Sequence, residues 1–106
     1  MTTSSYKRLS QGEATPLAPD LTVVVPALNE AETITRTIDN LKLVLGQMVN
    51  KFEIIVVDDG SIDGTFEIAS DTGVRVLRLS RNFGKEQAIM AGLSRSTGTA
   101  TAIIDA

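Results

Sequence analysis

Apolar residues alternate along this chain between two kinds of pattern. Short runs rich in β-branched side chains, Leu21–Val25, Ile54–Val57, Val74–Leu79 and Thr99–Ile104, predict strands covered on both faces, as in a parallel sheet flanked by helices. Arg75 and Arg78 interrupt the third run and place it at or near a sheet edge. Between the first two runs, Ile34, Ile38, Leu41, Leu45 and Met48 recur at alternating steps of four and three, the stripe of an amphipathic helix that should end around Met48–Asn50. Phe66, Ile68 and Ala69 mark a short second helix ending near Gly73, a natural residue just past a helix end. A third helix is predicted over Lys85–Arg95, where Ala88, Ala91 and Gly92 allow close packing on a sheet.

The punctuation agrees with this spacing. Pro26 closes the first strand, because proline cannot donate to a ladder, and Asn29 with Glu32 reads as a helix N-cap and its partner. Strands alternating with helices indicate an α/β, doubly wound sheet, with strand order 3-2-1-4. Met1–Asp20 shows no sustained period and is expected to be a flexible N-terminal leader. The chain stops at Asp105-Ala106, directly after a buried strand, which leads to the expectation that residues 21–106 are a truncated part of a larger domain.

The stretch Glu53–Thr65, EIIVVDDGSIDGT, organises the rest. A buried carboxylate pair is costly, so Asp58 and Asp59 are expected at the strand's carboxyl end, facing a crevice. Gly60, Ser61, Asp63 and Gly64 supply turn chemistry, and Asp63 is a reasonable N-cap for a helix starting near Thr65. With strand order 3-2-1-4, Asn29/Glu30, Asp58/Asp59 and Asp105 gather along one carboxyl edge, where open α/β sheets bind ligands. Such carboxylates could bind a divalent cation bridging nucleotide phosphates, while Arg81 and Lys85 lie on a loop able to reach the same edge.

Composition narrows the chemistry. The 106 residues carry a net charge of −3 and no long basic run, which argues against a nucleic-acid binder. Histidine and cysteine are absent, so disulfides, thiolate catalysis, Cys/His zinc sites and histidine-based triads are excluded within these residues. No apolar stretch approaches the roughly 20 residues that span a bilayer, and the expectation is a cytoplasmic protein. Neither GxGxxG after the first strand nor GxxxxGK[ST] is present, which removes the dinucleotide and P-loop readings.

Four motifs in order then carry a resemblance. VVVPALNEAETI at Val23–Ile34, EIIVVDDGSIDGT at Glu53–Thr65, LSRNFGKEQAIMAGL at Leu79–Leu93 and AIIDA at Ala102–Ala106 resemble the N-terminal half of a family-2 inverting glycosyltransferase of the GT-A fold. The similarity is greatest to the polyprenyl-phosphate branch, which includes dolichol-phosphate mannose synthase and undecaprenyl-phosphate glucosyltransferases. It covers roughly Leu21–Ala106, and it implies transfer of a sugar from UDP-sugar or GDP-mannose to a polyprenyl phosphate with inversion, using Mg²⁺ or Mn²⁺. By position it implies that Pro26, Leu28, Glu30 and Val56 line the nucleotide pocket and that Asp58 accepts a hydrogen bond from a base N–H. Lys85, with Arg81 in support, would approach the pyrophosphate, and Asp59 and Ser61 would brace the loop. Asp105 matches the first aspartate of the family's DxD motif, as metal ligand and catalytic residue, and Ala106 its middle residue. The resemblance places acceptor-binding residues and any membrane anchor beyond Ala106, so the 106 residues are expected to bind nucleotide at most, and the whole protein to work at the cytoplasmic face of a membrane.

Read without the resemblance, the same residues leave other readings open. Glu30 suits the first turn of a helix, Asp105 suits a cap, and Lys85 and Arg81 suit a solvated helix start. A noncatalytic nucleotide-binding or regulatory module, a glycosyltransferase with a polysaccharide acceptor and a receiver-type phosphoacceptor domain are the alternatives. The last would place its acidic pair after strand one, where this chain has Pro26-Ala27-Leu28-Asn29-Glu30.

Overall fold

The computed structural model describes Thr3–Lys7, in its backbone, and residues 18–106. The elements are β1 (Thr3–Lys7), β2 (Leu21–Ala27), α1 (Ile34–Met48), β3 (Phe52–Asp58), α2 (Thr65–Asp71), β4 (Arg75–Arg78), α3 (Lys85–Arg95) and β5 (Ala100–Ile104). They form one sheet of order β1-β5-β2-β3-β4, in which β5, β2, β3 and β4 are parallel neighbours. Leaving β1 aside, this is the expected 3-2-1-4 order, with the arginine-bearing β4 at an edge.

The period of two along each strand splits the core. Val23, Val25, Ile54, Val56, Ala102 and Ile104 face one side and pack under α1 and Ala69 of α2. Val24, Ile55, Val57 and Ile103 face the other and meet Ala88 of α3. Burying Ile34, Ile38, Leu41 and Leu45 of α1 contributes about 1.5–3 kcal/mol for each side chain, which is what holds that helix on the sheet. On the opposite face α3 comes close at Gly92, where a Cβ would run into the side chains of Val24 and Val57.

Five local expectations change. Thr3–Lys7, inside the expected leader, pairs antiparallel with β5, Thr3 opposite Ile104 and Lys7 opposite Ala100; the remaining part of that leader before residue 18 lies outside the described residues. Pro26 lies inside β2 rather than ending it. Ala27 O accepts from Asp59 N at 2.9 Å on the β3 side, so strand alternation turns Pro26 N toward β5, where pairing has already stopped at Val24–Ile103. Asn29 is not an N-cap: its φ is +53°, and α1 begins only at Ile34, after a turn. Met48 is 73% exposed, because the helix ends there and the extended Val49 takes the inward place against the core. Finally, Asp58 closes β3 with no exposed surface, so the carboxylate expected in a crevice is buried.

The amino end of the sheet is tied by a different carboxylate. Glu53 accepts from Thr22 Oγ1 at 2.8 Å, Thr97 N at 2.9 Å and Thr97 Oγ1 at 2.8 Å, linking β3 to β2 and to the turn before β5. Partial burial pushes its pKa up, but these bonds and Arg75 outweigh burial and hold it below the usual range.

Candidate functional site

A cleft of about 420 Å³ opens at the carboxyl ends of β2 and β5. It is lined by Pro26, Ala27, Leu28 and Glu30 from the end of β2 and the turn after it, Asp59 after β3, Asn82, Gly84 and Lys85 at the start of α3, and Asp105 and Ala106 after β5. Thus Pro26, Leu28, Glu30, Lys85, Asp105 and Ala106 meet as expected. Across the cleft Lys85 Nζ, at the start of α3, makes an ion pair with Asp105 Oδ2.

Of the two adjacent aspartates, the one expected in the pocket is buried away from it, and the one expected to brace the loop also lines the cleft. Asp59, cast as a brace, does brace: its Oδ1 accepts from Phe83 N at 2.9 Å and its Oδ2 from Gly84 N at 3.1 Å. It also lines the cleft. Asp58 points to the opposite sheet face, where Oδ1 accepts from Ser61 N at 3.1 Å and Oδ2, without a hydrogen-bond partner, lies 3.8 Å from Arg78 Nε. The guanidinium and the turn N–H offset the burial of this charge. Asp58 and Val56 share one strand face; Val56 lies in the core under α1 and α2, away from the cleft, so both pocket assignments are corrected.

The supporting residues also separate. Ser61 is buried and its Oγ accepts from Asn29 N at 2.8 Å, as a brace should. Arg81 does not line the cleft; its guanidinium stacks over the Phe83 ring at 4.9 Å. Asn82 and Gly84, absent from the expected set, do line it. The Asn82 Oδ1 accepts from Gly84 N at 3.0 Å, and the polar run Ser80–Gly84 ahead of a helix was the signal available for them. Gly60 lets this loop approach, since a Cβ there would strike the Arg81–Asn82 backbone and its φ of +77° already favours glycine.

Glu30 is fixed along its whole length. Its O accepts from Thr33 N at 3.1 Å and Ile34 N at 2.8 Å, its Oε2 accepts from Thr33 Oγ1 at 3.0 Å, and its N donates to Thr65 Oγ1 at 2.9 Å. Asp63 does not cap α2 from the N-cap position, which Gly64 holds. Its Oδ1 accepts from Thr65 N at 3.1 Å and from the Thr65 hydroxyl, and its Oδ2 accepts from Ala31 N at 3.1 Å. The Thr65 hydroxyl foremost, then these N–H groups, hold the Asp63 carboxyl below its usual range despite slight desolvation.

The donors suit a hard cation only in part. Among the described residues no three acidic, histidine or cysteine side chains cluster closely enough to enclose a metal ion. Asp105 offers one carboxylate in the cleft lining, which fits a magnesium-like ion that draws its other oxygens from substrate phosphates and water.

Comparison with known proteins gives the family and the fold. Residues 22–106 match the family model described as Glycosyl transferase family 2. The chain is 39% identical over 89 residues to an uncharacterized glycosyltransferase, YkcC, of Bacillus subtilis (strain 168), covering 79% of this chain and 28% of that protein. It is 33% identical over 92 residues to the undecaprenyl-phosphate 4-deoxy-4-formamido-L-arabinose transferase of Yersinia pestis (strain Pestoides F), covering 81% of this chain and 28% of that one. Among solved structures, glucosyl-3-phosphoglycerate synthase from Mycobacterium tuberculosis, in complex with Mn²⁺, UDP and phosphoglyceric acid, superposes with a TM-score of 0.68 at 33% identity, covering 82% of this chain and 32% of that one. The chain therefore spans less than a third of the length of each of these proteins.

Proposed function

Because the chain belongs to glycosyl transferase family 2, we propose that its cleft holds the nucleotide diphosphate of a sugar donor, UDP-sugar or GDP-mannose, for inverting transfer to a polyprenyl phosphate. The observation that carries this reading is the pairing of Lys85 and Asp105 across one cleft. An ammonium beside a carboxylate gives a diphosphate both a cationic partner and a neighbouring site for a bridging ion.

The residues divide the ligand by chemistry. Pro26 and Leu28 offer apolar surface to the base, and Glu30 and Asp59 offer acceptors to its N–H groups or to ribose hydroxyls. Lys85 donates to the diphosphate, and Asp105 would hold a Mg²⁺ or Mn²⁺ ion together with the phosphate oxygens. That ion supplies charge neutralisation of the departing nucleoside diphosphate. In the transfer, an acceptor-phosphate oxygen bonds to the anomeric carbon while the bond from that carbon to the diphosphate breaks. The acceptor is already an anion, so no strong protein base is required.

Support for the donor comes from the M. tuberculosis synthase, whose structure contains Mn²⁺ and UDP, and for the acceptor from the Yersinia enzyme, named for undecaprenyl phosphate. A lipid-phosphate acceptor would put the reaction at the cytoplasmic face of a membrane. Among the described residues no helix is long and apolar enough to cross one.

The test is titration calorimetry of the chain with UDP and with GDP, each with Mn²⁺. Saturable binding of one of them, weakened by Asp105→Asn, is the expected result. Binding of neither at millimolar nucleotide removes the proposal.

A further inference from the structure

Three successive backbone N–H groups, those of Asn29, Glu30 and Ala31, are each captured by a side-chain oxygen from one five-residue turn: Ser61 Oγ at 2.8 Å, Thr65 Oγ1 at 2.9 Å and Asp63 Oδ2 at 3.1 Å. We propose that Ser61, Asp63 and Thr65 are positioning residues, which set Glu30 in the cleft by satisfying this row of N–H groups with their own oxygens. The inference deepens the nucleotide reading and rests on it.

The geometry explains why a second loop is needed. The left-handed Asn29, at φ +53°, turns the chain out of β2 and leaves three consecutive N–H groups that must find partners outside the sheet. The partners are the Ser61 and Thr65 hydroxyls, at Asn29 and Glu30, and the Asp63 carboxylate, at Ala31. The contact is reciprocal, because Asn29 Oδ1 accepts from Ile62 N at 3.0 Å. The turn is itself anchored, since Ser61 N donates to the buried Asp58, and Thr65 is wholly buried at the start of α2. Glu30 thus inherits its place from residues that do not line the cleft. Of the three, Thr65 bears on it most directly, as the partner of its own N–H.

The test compares Thr65→Val, which keeps the shape and loses the oxygen, with Thr65→Ser, which keeps the oxygen. Two quantities are read: amide hydrogen exchange at Glu30 and Ala31 by NMR, and affinity for UDP or GDP with Mn²⁺, each measured with Glu30 intact and in a Glu30→Ala background. Thr65→Val should speed exchange at Glu30 by about tenfold or more and weaken nucleotide binding about three- to tenfold. Thr65→Ser should restore both, and the affinity loss should vanish once Glu30 is absent. If Thr65→Val proves unfolded by circular dichroism, Ser61→Ala, which frees only Asn29 N, is read by amide exchange at Asn29 and by the same affinities with and without Glu30. Unchanged affinity in a folded variant, or a loss of equal size without Glu30, overturns the inference. If the unaltered chain binds neither nucleotide, the functional reading falls, and protection at Glu30 that is unchanged by Thr65→Val overturns the positioning role separately.

Discussion

Lys85 reaches from the first residue of α3 to pair with Asp105, the residue after β5, so that two segments 20 positions apart in sequence meet in the lining of one cleft. Both groups are partly exposed, so the pair adds at most about 1 kcal/mol to stability. On the proposed reading, a diphosphate and a cation would have to separate the two side chains, which pair with each other in the structure.

Replacing Lys85 should therefore move two affinities in opposite directions. Lys85→Met removes a charged donor to the diphosphate and should weaken UDP or GDP binding by about 1.5–3 kcal/mol. The same change frees Asp105, and Mn²⁺ binding to the nucleotide-free chain should tighten. Calorimetric titrations with Mn²⁺ alone and with nucleotide at saturating Mn²⁺ check both; a parallel loss in the two would contradict the arrangement.

The neighbouring aspartates should separate cleanly. Asp59→Ala should weaken nucleotide affinity by about 1–3 kcal/mol, since it strips acceptors from the cleft and releases Phe83 and Gly84. Asp58→Ala should cost less affinity than Asp59→Ala, acting only through the turn that it anchors, and should lower stability, because it empties a buried site, leaves Ser61 N without its acceptor and leaves Arg78 with Glu67 as its carboxylate partner. Urea unfolding set beside nucleotide titration distinguishes them. The reverse pattern would restore Asp58 to the cleft.

Acid should destabilise the chain through identified groups. Glu53 and Asp63 are held below their ordinary values of 4.5 and 3.8 in the folded state. A depressed folded pKa contributes stability that is complete above the unfolded value and is lost as pH falls through the folded one. Stability should accordingly be flat from pH 7 down to about 5 with respect to these two groups and decline below about 4.5, Glu53 first. In Glu53→Gln the upper part of that decline should flatten, as urea midpoints between pH 7 and 3 would reveal.

Gly60→Ala tests how closely the acidic turn and the polar loop must approach. It combines a left-handed φ with a Cβ directed onto the Arg81–Asn82 backbone, and should cost about 1–3 kcal/mol of stability. Because that loop carries Asn82 and Gly84 into the cleft, the surviving folded fraction should also bind nucleotide more weakly. Thermal unfolding and titration of the same sample measure both.

Local chemistry made much of this molecule readable from one dimension. The Ile34–Leu45 stripe, the four β-branched runs, the edge arginines of β4 and the boundaries of α3 all emerge as stated, because burial on a helix face or on both sides of a strand imposes a period that no neighbouring segment can disguise. The alternation of elements indicated a doubly wound sheet, and the order 3-2-1-4 taken for it, which the structure has, brings Glu30, Lys85 and Asp105 to one rim. The pairing of β1 with β5 left no such trace, since Thr3–Lys7 has no apolar period and its partner lies almost the whole chain away. Nor did the chain order of Asp58 and Asp59 reveal which would face a ligand. Successive residues point to opposite faces, so that choice depends on which helix covers each face, and on Arg78 and the Phe83–Gly84 loop arriving from distant segments to meet the two charges.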